Sequence, residues 1–349
     1  MGAAADNGGL AELLVGRAAL ETAGSNRERA LHRAARAALV WPEEARDLTA
    51  AGRPLSELDS VGPWVATVLA ELLESEAAPE APPLRRGFLT RAQAQATVAA
   101  APDLLSRVRS DLQMHTTWSD GKGSLEEMVA ACVRRDTYTH ILITDHSQGL
   151  RVANGMNEHR LRAQARAIEG VNAALQQQGA NLEVLQGIEM NLSPEGEGDM
   201  DPAALRGLDV VLGAFHSKLR LTNDQTQRYL AGLRNPGVDV LAHPRGRMYN
   251  RRLGLWCDWE RVLREAAELD KAVEIDAYPD RQDLDVDLLA VAREAGVRIS
   301  IGTDSHHPRD LDAMVLGVAA ALLAGIRPER ILNLLDAPAL RAWAGRHRP

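Results

Sequence analysis

Two patterns of hydrophobic and polar positions divide the chain. In the first part, apolar residues recur every three or four positions over 10–21, 27–40 and 63–75, which predicts short amphipathic helices. From about residue 108 onward, short β-branched runs alternate with longer segments of helical periodicity, a pattern typical of β/α units. The segment 76–87 between them is rich in Pro, Ala and charge, which is the composition of a semi-rigid linker.

These patterns predict three segments. Residues 1–76 are expected to form a small all-α domain, residues 77–107 a linker with a lead-in helix, and residues 108–349 an α/β domain. The α/β domain contains seven candidate strands, which are 108–112, 139–144, 182–188, 209–215, 238–242, 271–276 and 297–302. Because β/α connections are right-handed, a succession of this length favours closure into a barrel.

Composition and charge narrow the class of protein. The chain is 45% apolar and 25% charged, as in globular proteins with a sizeable core. Its net charge of -8 weighs against a surface that attracts nucleic acid everywhere, so phosphate affinity must be local. The two cysteines are far apart, which indicates neither a disulfide framework nor a thiolate zinc site. No run of 18 apolar residues and no leader pattern occurs, so we expect a cytoplasmic protein without membrane partners.

Imidazoles and carboxylates follow the candidate strands. In parallel β/α folds the functional side chains collect at the C-terminal ends of strands, where the loops meet at one rim. The residues in that position are His115, Asp120, Asp145, His146, Glu189, His216, His243, Asp304 and His306. Random placement would scatter histidines over helices and surface, yet half of the chain's 10 histidines lie in this set. A purely structural role for the whole set is therefore disfavoured.

The chemistry of the set predicts a metal centre. Imidazole and carboxylate without thiolate suit Zn²⁺, Mn²⁺ or Fe²⁺ better than an all-oxygen Ca²⁺ or Mg²⁺ site. The set is too large for one ion with three or four protein ligands, so two or three ions are expected. Glu189 stands alone on a central strand and is the natural bridging carboxylate. Ions about 3.5 to 4 Å apart activate water and stabilise phosphate oxygens, which predicts hydrolysis of a phosphate ester.

An arginine-rich loop follows one of the candidate ligands. Directly after His243 the sequence HPRGRMYNRR carries Arg245, Arg247, Arg251 and Arg252. Guanidinium groups bind phosphate in a bidentate manner, so we predict that Arg245 and Arg247 contact the substrate. For Arg251 and Arg252, substrate contact and a solvated loop both remain open.

The motifs of the second domain resemble those of a known superfamily. DLQMHTTWSDG, TDHS, GIEMN, FHS, AHP and GTDSH occur in this order over 108–345 and resemble the PHP (polymerase and histidinol phosphatase) metal-dependent phosphoesterases. The resemblance implies a distorted (β/α)7 TIM-like barrel with a trinuclear zinc or manganese centre. It assigns as metal ligands His115, Asp120, His146, Glu189, His216, His243, Asp304 and His306, and gives Asp145 a supporting role. Glu189, Asp304 and His243, with Arg245 and Arg247, are the expected catalytic residues.

Within the superfamily the sequence is most similar to the C-terminal domain of bacterial family X DNA polymerases. The stretches DHSQGLRVANG, HPRGRMYNRRLG and DWERVLREAAE carry this similarity. Many members of that branch have Gln where other PHP proteins have the first His, as Gln113 does here. An amide oxygen still binds metal, although more weakly than imidazole. Gln113 is therefore expected as a ninth, weak ligand, with one ion held less tightly than its neighbours.

The first domain resembles the helical DNA-binding domain of the same polymerases. The stretch LSELDSVGPWVATVLAELLE is a helix-hairpin-helix candidate, in which the amides of Val61 and Gly62 would meet a DNA phosphate. Ser60 replaces the first hairpin glycine of the family and Pro63 replaces a lysine, so a hairpin used only for packing remains an alternative. The roughly 30 residues between the two regions leave no room for a polymerase palm, which predicts no nucleotidyl transfer.

Three hypotheses about function follow. The leading one is a metal-dependent phosphoesterase acting on DNA ends or lesions, as a 3′-5′ exonuclease, a 3′-phosphatase or an abasic-site endonuclease. The second, favoured by the acidic net charge, is a small-molecule phosphatase of the histidinol phosphate or nucleotide type. The third is a non-catalytic DNA-binding or partner-binding module, and Gln113 is its sole support in the sequence.

Overall fold

The chain folds into two compact units, Met1–Ala100 and Ala101–Pro349. The structure is a computed structural model that describes residues 5–74 and 80–347. The expected boundary after residue 76 lies outside the described residues. The described residues 80–100 of the expected linker group with the first unit, and they include the helix Arg91–Ala100.

The first unit is all-α. Its helices are α1 (Asn7–Ala18), α2 (Asn26–Ala38), α3 (Ala45–Ala50), α4 (Pro63–Leu73) and α5 (Arg91–Ala100). Asp6 and Ser25 cap α1 and α2 by accepting hydrogen bonds from the backbone amides of Gly9 and Glu28. The apolar stripes predicted by the sequence meet in one core, in which Leu10, Leu31, Trp41 and Leu69 are fully buried.

The candidate hairpin precedes α4. Ser60, at the position where the resembling family has glycine, adopts a left-handed backbone with φ of 62°. The amide of Val61 donates to the carbonyl of Leu58 at 3.2 Å, and its side chain is buried. Gly62 is exposed and caps α4. DNA contact by Val61 and Gly62 stays a prediction, and the backbone amide of Val61 is already occupied.

The second unit is built from parallel β/α units. The strands are β1 (His140–Ile143), β2 (Glu183–Asn191), β3 (Val210–Ala214), β4 (Val240–Leu241), β5 (Ala272–Asp276) and β6 (Arg298–Gly302). The helices are α6 (Pro102–Ser106), α7 (Leu125–Val133), α8 (Glu158–Gln177), α9 (Pro202–Leu205), α10 (Thr226–Arg234), α11 (Trp259–Glu268), α12 (Val286–Ala295), α13 (Met314–Leu323) and α14 (Ala337–Ala344). The strands lie in chain order and every neighbouring pair is parallel, so all their carboxyl ends meet at one rim.

The segment 109–115 closes the sheet into a barrel. On one side, the amide of Leu142 in β1 donates to the carbonyl of Asp111 at 3.0 Å. On the other side, the amide of Leu112 donates to the carbonyl of Ile301 in β6 at 3.4 Å. The predicted distorted barrel is therefore confirmed. The described residues form six regular strands, and the expected strand 108–112 is an irregular segment.

Asp111 accounts for this irregularity. Its buried carboxylate accepts hydrogen bonds from the amide of Thr303 at 3.0 Å and the amide of Gln113 at 3.3 Å. The hydroxyl of Thr303 also donates to it at 2.6 Å. A side chain thus replaces the backbone carbonyls that a regular ladder would use, and burial raises the pKa of Asp111 to about 6.

The strands form the centre of the second unit. β1, β3 and β5 are buried at every position, as expected for parallel strands covered on both faces. Within residues 5–74 and 80–347, no helix is both long enough and apolar enough to span a bilayer.

Candidate metal centre

The carboxyl rim of the barrel brings the predicted ligand residues together. Among the described residues, three groups of side chains have ligand atoms within 4.8 Å of one another. They are His115, Asp120, His146 and His306; His146, Glu189 and His216; and His115, Glu189 and Asp304. The two remaining predicted ligands, Gln113 and His243, contact Glu189 at 2.9 and 2.7 Å.

Glu189, near the end of β2, is the centre of the cluster. Its Oε2 lies 3.2 Å from Nε2 of His115 and 3.5 Å from Nδ1 of His146. Its Oε1 lies 2.9 Å from Nε2 of His216 and 2.7 Å from Nε2 of His243. One buried carboxylate therefore faces four imidazoles from four different loops, the arrangement expected of a ligand shared between ions.

Two further carboxylates extend the cluster on either side of His115. Asp304 Oδ1 lies 3.0 Å from Nε2 of His115. Asp120 Oδ1 lies 3.4 Å from Nε2 of His306 and 3.6 Å from Nε2 of His146. Asp304 also has φ of 51°, a left-handed conformation that is uncommon outside glycine and occurs preferentially at functional sites.

Hydrogen bonds fix the ring orientation of two histidines. Nδ1 of His216 lies 3.1 Å from the side-chain oxygen of Asn191, and Nδ1 of His306 lies 2.7 Å from the carbonyl of Asp304. Because both partners are acceptors, Nδ1 of each ring carries a proton, and the Nε2 that faces the cluster is the nitrogen left to bind a metal ion. Lone pairs that face each other repel, so a proton or a metal ion has to lie between each Nε2 and its carboxylate.

The buried polar atoms of the rim fit such cations. Among the described residues, both ring nitrogens of His115, Nδ1 of His146, Nδ1 of His243 and Oε1 of Gln113 are buried without a hydrogen-bond partner. Buried polar atoms normally have partners, so this concentration calls for an explanation. The donor set is imidazole and carboxylate, so the rim has the make-up of a divalent-metal centre.

Electrostatics favour the metal-binding protonation state at Asp120 and His146, whereas at His115 and His306 the neighbouring acids outweigh burial and raise the pKa. Burial raises the pKa of Asp120, but the hydrogen bond from His306 and the neighbouring imidazoles outweigh it and bring this pKa to about 2. Burial lowers the pKa of His146 to about 3, against the opposing charge of Glu189. At neutral pH Asp120 is therefore an anion and His146 a neutral base, the forms that bind metal.

Asp145 holds the loop that carries His115, and its role as a supporting residue rather than a ligand stays a prediction. One of its oxygens accepts from the amide of Thr116 at 2.8 Å and the hydroxyl of Ser119 at 2.5 Å. The other carboxylate oxygen accepts hydrogen bonds from the hydroxyl of Thr116 and the side-chain amide of Gln164, both at 2.7 Å. With both oxygens occupied, Asp145 positions the turn that carries His115.

Gln113 approaches the cluster through its amide nitrogen. Its Nε2 donates to Oε2 of Glu189 at 2.9 Å, while Oε1 is buried without a partner. A rotation of the amide would exchange the two atoms and direct the oxygen at the cluster. The role of Gln113 as a weak ligand stays a prediction.

Arg245 and Arg247 converge on an acid rather than on the metal cluster. Their Nη1 atoms lie 2.5 and 2.7 Å from the same oxygen of Asp285, which caps α12. Arg247 is also buried, and its Nε donates to the carbonyl of Arg281 at 3.0 Å. These bonds hold the loop after His243 in place, and substrate contact by the two arginines stays a prediction.

Sequence reasoning missed two residues of the rim, Asn191 and Arg281. Asn191 lies two positions after Glu189 on the same strand and hence on the same face, a periodicity that could have identified it. Arg281 follows β5, and its Nε lies 3.4 Å from Asp304 and 3.8 Å from Asp276. A search of every rim loop for cations, rather than only the loop with four arginines, would have found Arg281.

A parallel β/α barrel with clustered histidines and carboxylates at its carboxyl rim defines the class of β/α-barrel metalloproteins. No family model matches the sequence. The chain is 37% identical over 244 residues to the DNA polymerase/3′-5′ exonuclease PolX of Bacillus subtilis (strain 168), covering 70% of this chain and 42% of the relative. It is 28% identical over 163 residues to a "probable phosphatase" of Thermoanaerobacter sp. (strain X514), covering 44% of this chain and 64% of that protein.

The chain thus spans less than two thirds of the length of these relatives. A crystal structure of histidinol phosphate phosphatase from Lactococcus lactis, complexed with zinc, L-histidinol and phosphate, aligns with a TM-score of 0.46 at 18% identity, covering 63% of this chain and 95% of that one. These similarities fit the resemblance of the sequence motifs to the PHP superfamily of phosphoesterases and to bacterial family X polymerases.

Proposed function

We propose that this chain is a metal-dependent phosphoesterase that hydrolyses phosphate esters at DNA ends or lesions and lacks polymerase activity. The observation that carries the proposal is the contact of Glu189 with four imidazoles at the carboxyl rim of the barrel. The similarity to a protein named as a 3′-5′ exonuclease supports DNA as the substrate.

The centre would hold two to three divalent ions, Zn²⁺ or Mn²⁺, with Fe²⁺ as an alternative. The three groups around His115, Glu189 and Asp120 supply the ligands, with His243 added through its contact with Glu189. Such ions, when bound, stabilise negative charge on phosphate oxygens and lower the pKa of water.

Residues of the chain itself orient the predicted metal ligands. Asn191 and the carbonyl of Asp304 hold the tautomers of His216 and His306, so that each Nε2 faces the cluster. Asp145 fixes the loop that carries His115. These contacts prearrange the site before substrate arrives, which removes a reorganisation cost from the reaction.

The first unit would bind DNA through its hairpin. The left-handed backbone of Ser60 and the exposed Gly62 at the start of α4 support this proposal. Helix N-termini attract phosphate through their unpaired amides. If the hairpin holds DNA, Gly62→Glu should weaken oligonucleotide binding without changing the fold of the α-helical unit.

The proposed function is tested by supplying purified protein with Mn²⁺ or Zn²⁺ and four substrates. These are oligonucleotides with a 3′-hydroxyl, a 3′-phosphate or an abasic site, and histidinol phosphate. We expect metal-dependent hydrolysis of at least one DNA substrate and its loss in Asp304→Ala. Absence of hydrolysis on all DNA substrates would refute the proposal.

A small-molecule phosphatase is the second candidate. The net charge of -8 and the similarity to proteins named as probable phosphatases favour it. Efficient hydrolysis of histidinol phosphate or a nucleotide, together with inactivity on every DNA substrate, would establish this candidate. Less than one bound ion per chain, with unchanged behaviour of His243→Ala, would instead indicate a non-catalytic binding module.

A further inference from the structure

Three rim loops of the barrel are joined beside the metal centre. The amide of Tyr249, in the loop after β4, donates to the carbonyl of Asp280 in the loop after β5 at 2.7 Å. On its other side, the carbonyl of Arg251 accepts from Nη1 of Arg220, in the loop after β3, at 3.4 Å. The loops after β3, β4 and β5 therefore form one continuous surface.

This surface carries guanidinium groups that are not neutralised by carboxylates. Among the described residues, none of Arg220, Arg251 and Arg252 forms an ion pair, whereas Arg245 and Arg247 share Asp285. Arg220 and Arg251 are exposed, and Arg252 is partly exposed while its Nε donates to the carbonyl of Gly246. An unpaired guanidinium retains its full capacity to bind a phosphate in a bidentate manner.

Arg281 connects this surface to the ligand cluster. Its side chain is 23% exposed, and its Nε lies 3.4 Å from Oδ2 of Asp304, a predicted metal ligand. Arg252 lies within the electrostatic field of both Arg281 and Arg220, and their positive charges add to burial in lowering its pKa. The three groups therefore lie on the joined loops, with Arg281 at the cluster beside Asp304 and Asp276. Asp283 and Asp280 are the acids whose charge opposes that of the neighbouring arginines at Arg252.

We propose that Arg281, Arg252 and Arg220 form a cationic track that leads away from the metal centre and binds successive phosphates of a polynucleotide strand. The inference rests on the proposed function, because it deepens the choice of DNA over a phosphomonoester. A small phosphate ester reaches only Arg281, whereas a strand with several phosphates also reaches Arg252 and Arg220. The track gives an acidic chain the local phosphate affinity that its net charge of -8 would otherwise disfavour.

Binding is measured by fluorescence anisotropy of the metal-loaded full chain with a labelled single-stranded oligonucleotide whose linkages are phosphorothioate, over a series of salt concentrations. Each phosphate contact on a single strand contributes about 0.7 to the slope of log K against log salt. The double variant Arg220→Gln/Arg252→Gln should lower that slope by about 1.4 and weaken binding by roughly tenfold or more at low salt. Its KM for an oligonucleotide should rise far more than its kcat falls.

The matched control is Arg264→Gln, which removes an exposed arginine on α11 and should leave affinity and slope unchanged. Circular dichroism and thermal unfolding of all variants check that the fold is retained. A double variant with the wild-type slope would overturn the track while leaving the proposed function intact if the wild type cleaves DNA. A wild type that neither binds nor cleaves oligonucleotides, yet hydrolyses p-nitrophenyl phosphate, would overturn both the track and the DNA substrate.

Discussion

The two ends of the barrel use the same residue types in opposite ways. At the amino ends of the strands, each acid has a cationic or hydrogen-bonded partner from the protein itself. Arg341 lies 2.5 Å from Asp209 and 2.6 Å from Glu183, and Nδ1 of His347 lies 3.0 Å from Asp239. These contacts pair the three acids with cations or imidazole from the protein itself.

At the carboxyl rim the same chemistry is left incomplete. Glu189 and Asp120 face Nε2 of His216 and His306, whose Nδ1 protons are held by acceptors on the other side of the ring. Residue type therefore does not distinguish a metal site from a structural network. The rim differs because, among the described residues, it concentrates buried imidazole nitrogens without hydrogen-bond partners around carboxylates, so we expect added cations there.

The largest expected effect comes from exchanging glutamate for glutamine at either end of β2. Glu189→Gln removes the charge that four imidazoles share, so phosphoesterase activity should fall by more than about 100-fold. Glu183→Gln, which loses only a partly exposed contact with Arg341, should retain activity and lose no more than about 1 kcal/mol of stability. Rates with saturating Mn²⁺ on the preferred substrate measure both, and equal losses would abolish the contrast between the two ends.

His243 at the carboxyl rim and His347 at the amino end allow the two ends of the barrel to be compared through matched substitutions. His243→Ala should weaken metal binding and activity by roughly 10- to 100-fold, because a ring nitrogen 2.7 Å from Glu189 is removed. His347→Ala should keep the metals but lower the free energy of unfolding by about 1–3 kcal/mol, since the buried Asp239 loses a partner. Calorimetric metal titration and urea denaturation separate the two outcomes. If His347→Ala also loses metal, the two ends are coupled and the contrast is wrong.

A smaller effect is expected from the asparagines that support each end. Asn191→Ala frees Nδ1 of His216, so metal affinity should fall by about 10-fold, and Asn191→Asp should restore much of it by keeping the acceptor oxygen. Asn172 bonds both backbone groups of Val184 near the amino end, at 2.8 and 2.9 Å. Asn172→Ala should therefore lower thermal stability and leave metal affinity intact. A competition assay with a chromophoric chelator reports the affinities, and no change in Asn191→Ala would remove its positioning role.

The amino end also predicts that stability depends on pH. Burial lowers the pKa of His140 from 6.5 to about 4. Between these values the unfolded chain binds a proton that the folded chain does not, so stability falls as pH falls from 6.5 towards 4. The contribution is at most about 1.4 kcal/mol per pH unit. In His140→Gln, the urea midpoint of unfolding should depend less on pH over this range than in His159→Gln, a substitution at an exposed position. An unchanged pH dependence would contradict the assignment of this effect to His140.

Much of the rim could be predicted from the sequence because strand polarity is a strong constraint. The seven β-branched runs coincide with the six strands and the irregular segment of the barrel, and the residues that follow them share one rim. The irregular backbone of 108–112 could not be predicted. It depends on hydrogen bonds between Asp111 and Thr303, which lie far apart in the sequence.

The partners of the arginines could not be predicted from the sequence either. A count of guanidinium groups favoured Arg245 and Arg247, yet both meet Asp285, some 40 residues later in the chain. Arg281 stands alone in its loop and contacts Asp304, so the spacing of charges gave no signal for it. Pairing between distant loops is set by tertiary packing, which local patterns do not encode.

Metal content is the most direct test of the central claim that the carboxyl rim alone requires added cations. Purified wild type, Glu189→Gln and Glu183→Gln are dialysed against Mn²⁺ or Zn²⁺, and metal per chain is determined by inductively coupled plasma mass spectrometry. We expect two to three ions per chain in the wild type and in Glu183→Gln, and at most one in Glu189→Gln. Less than one ion in the wild type, or the same number in all three proteins, would contradict it.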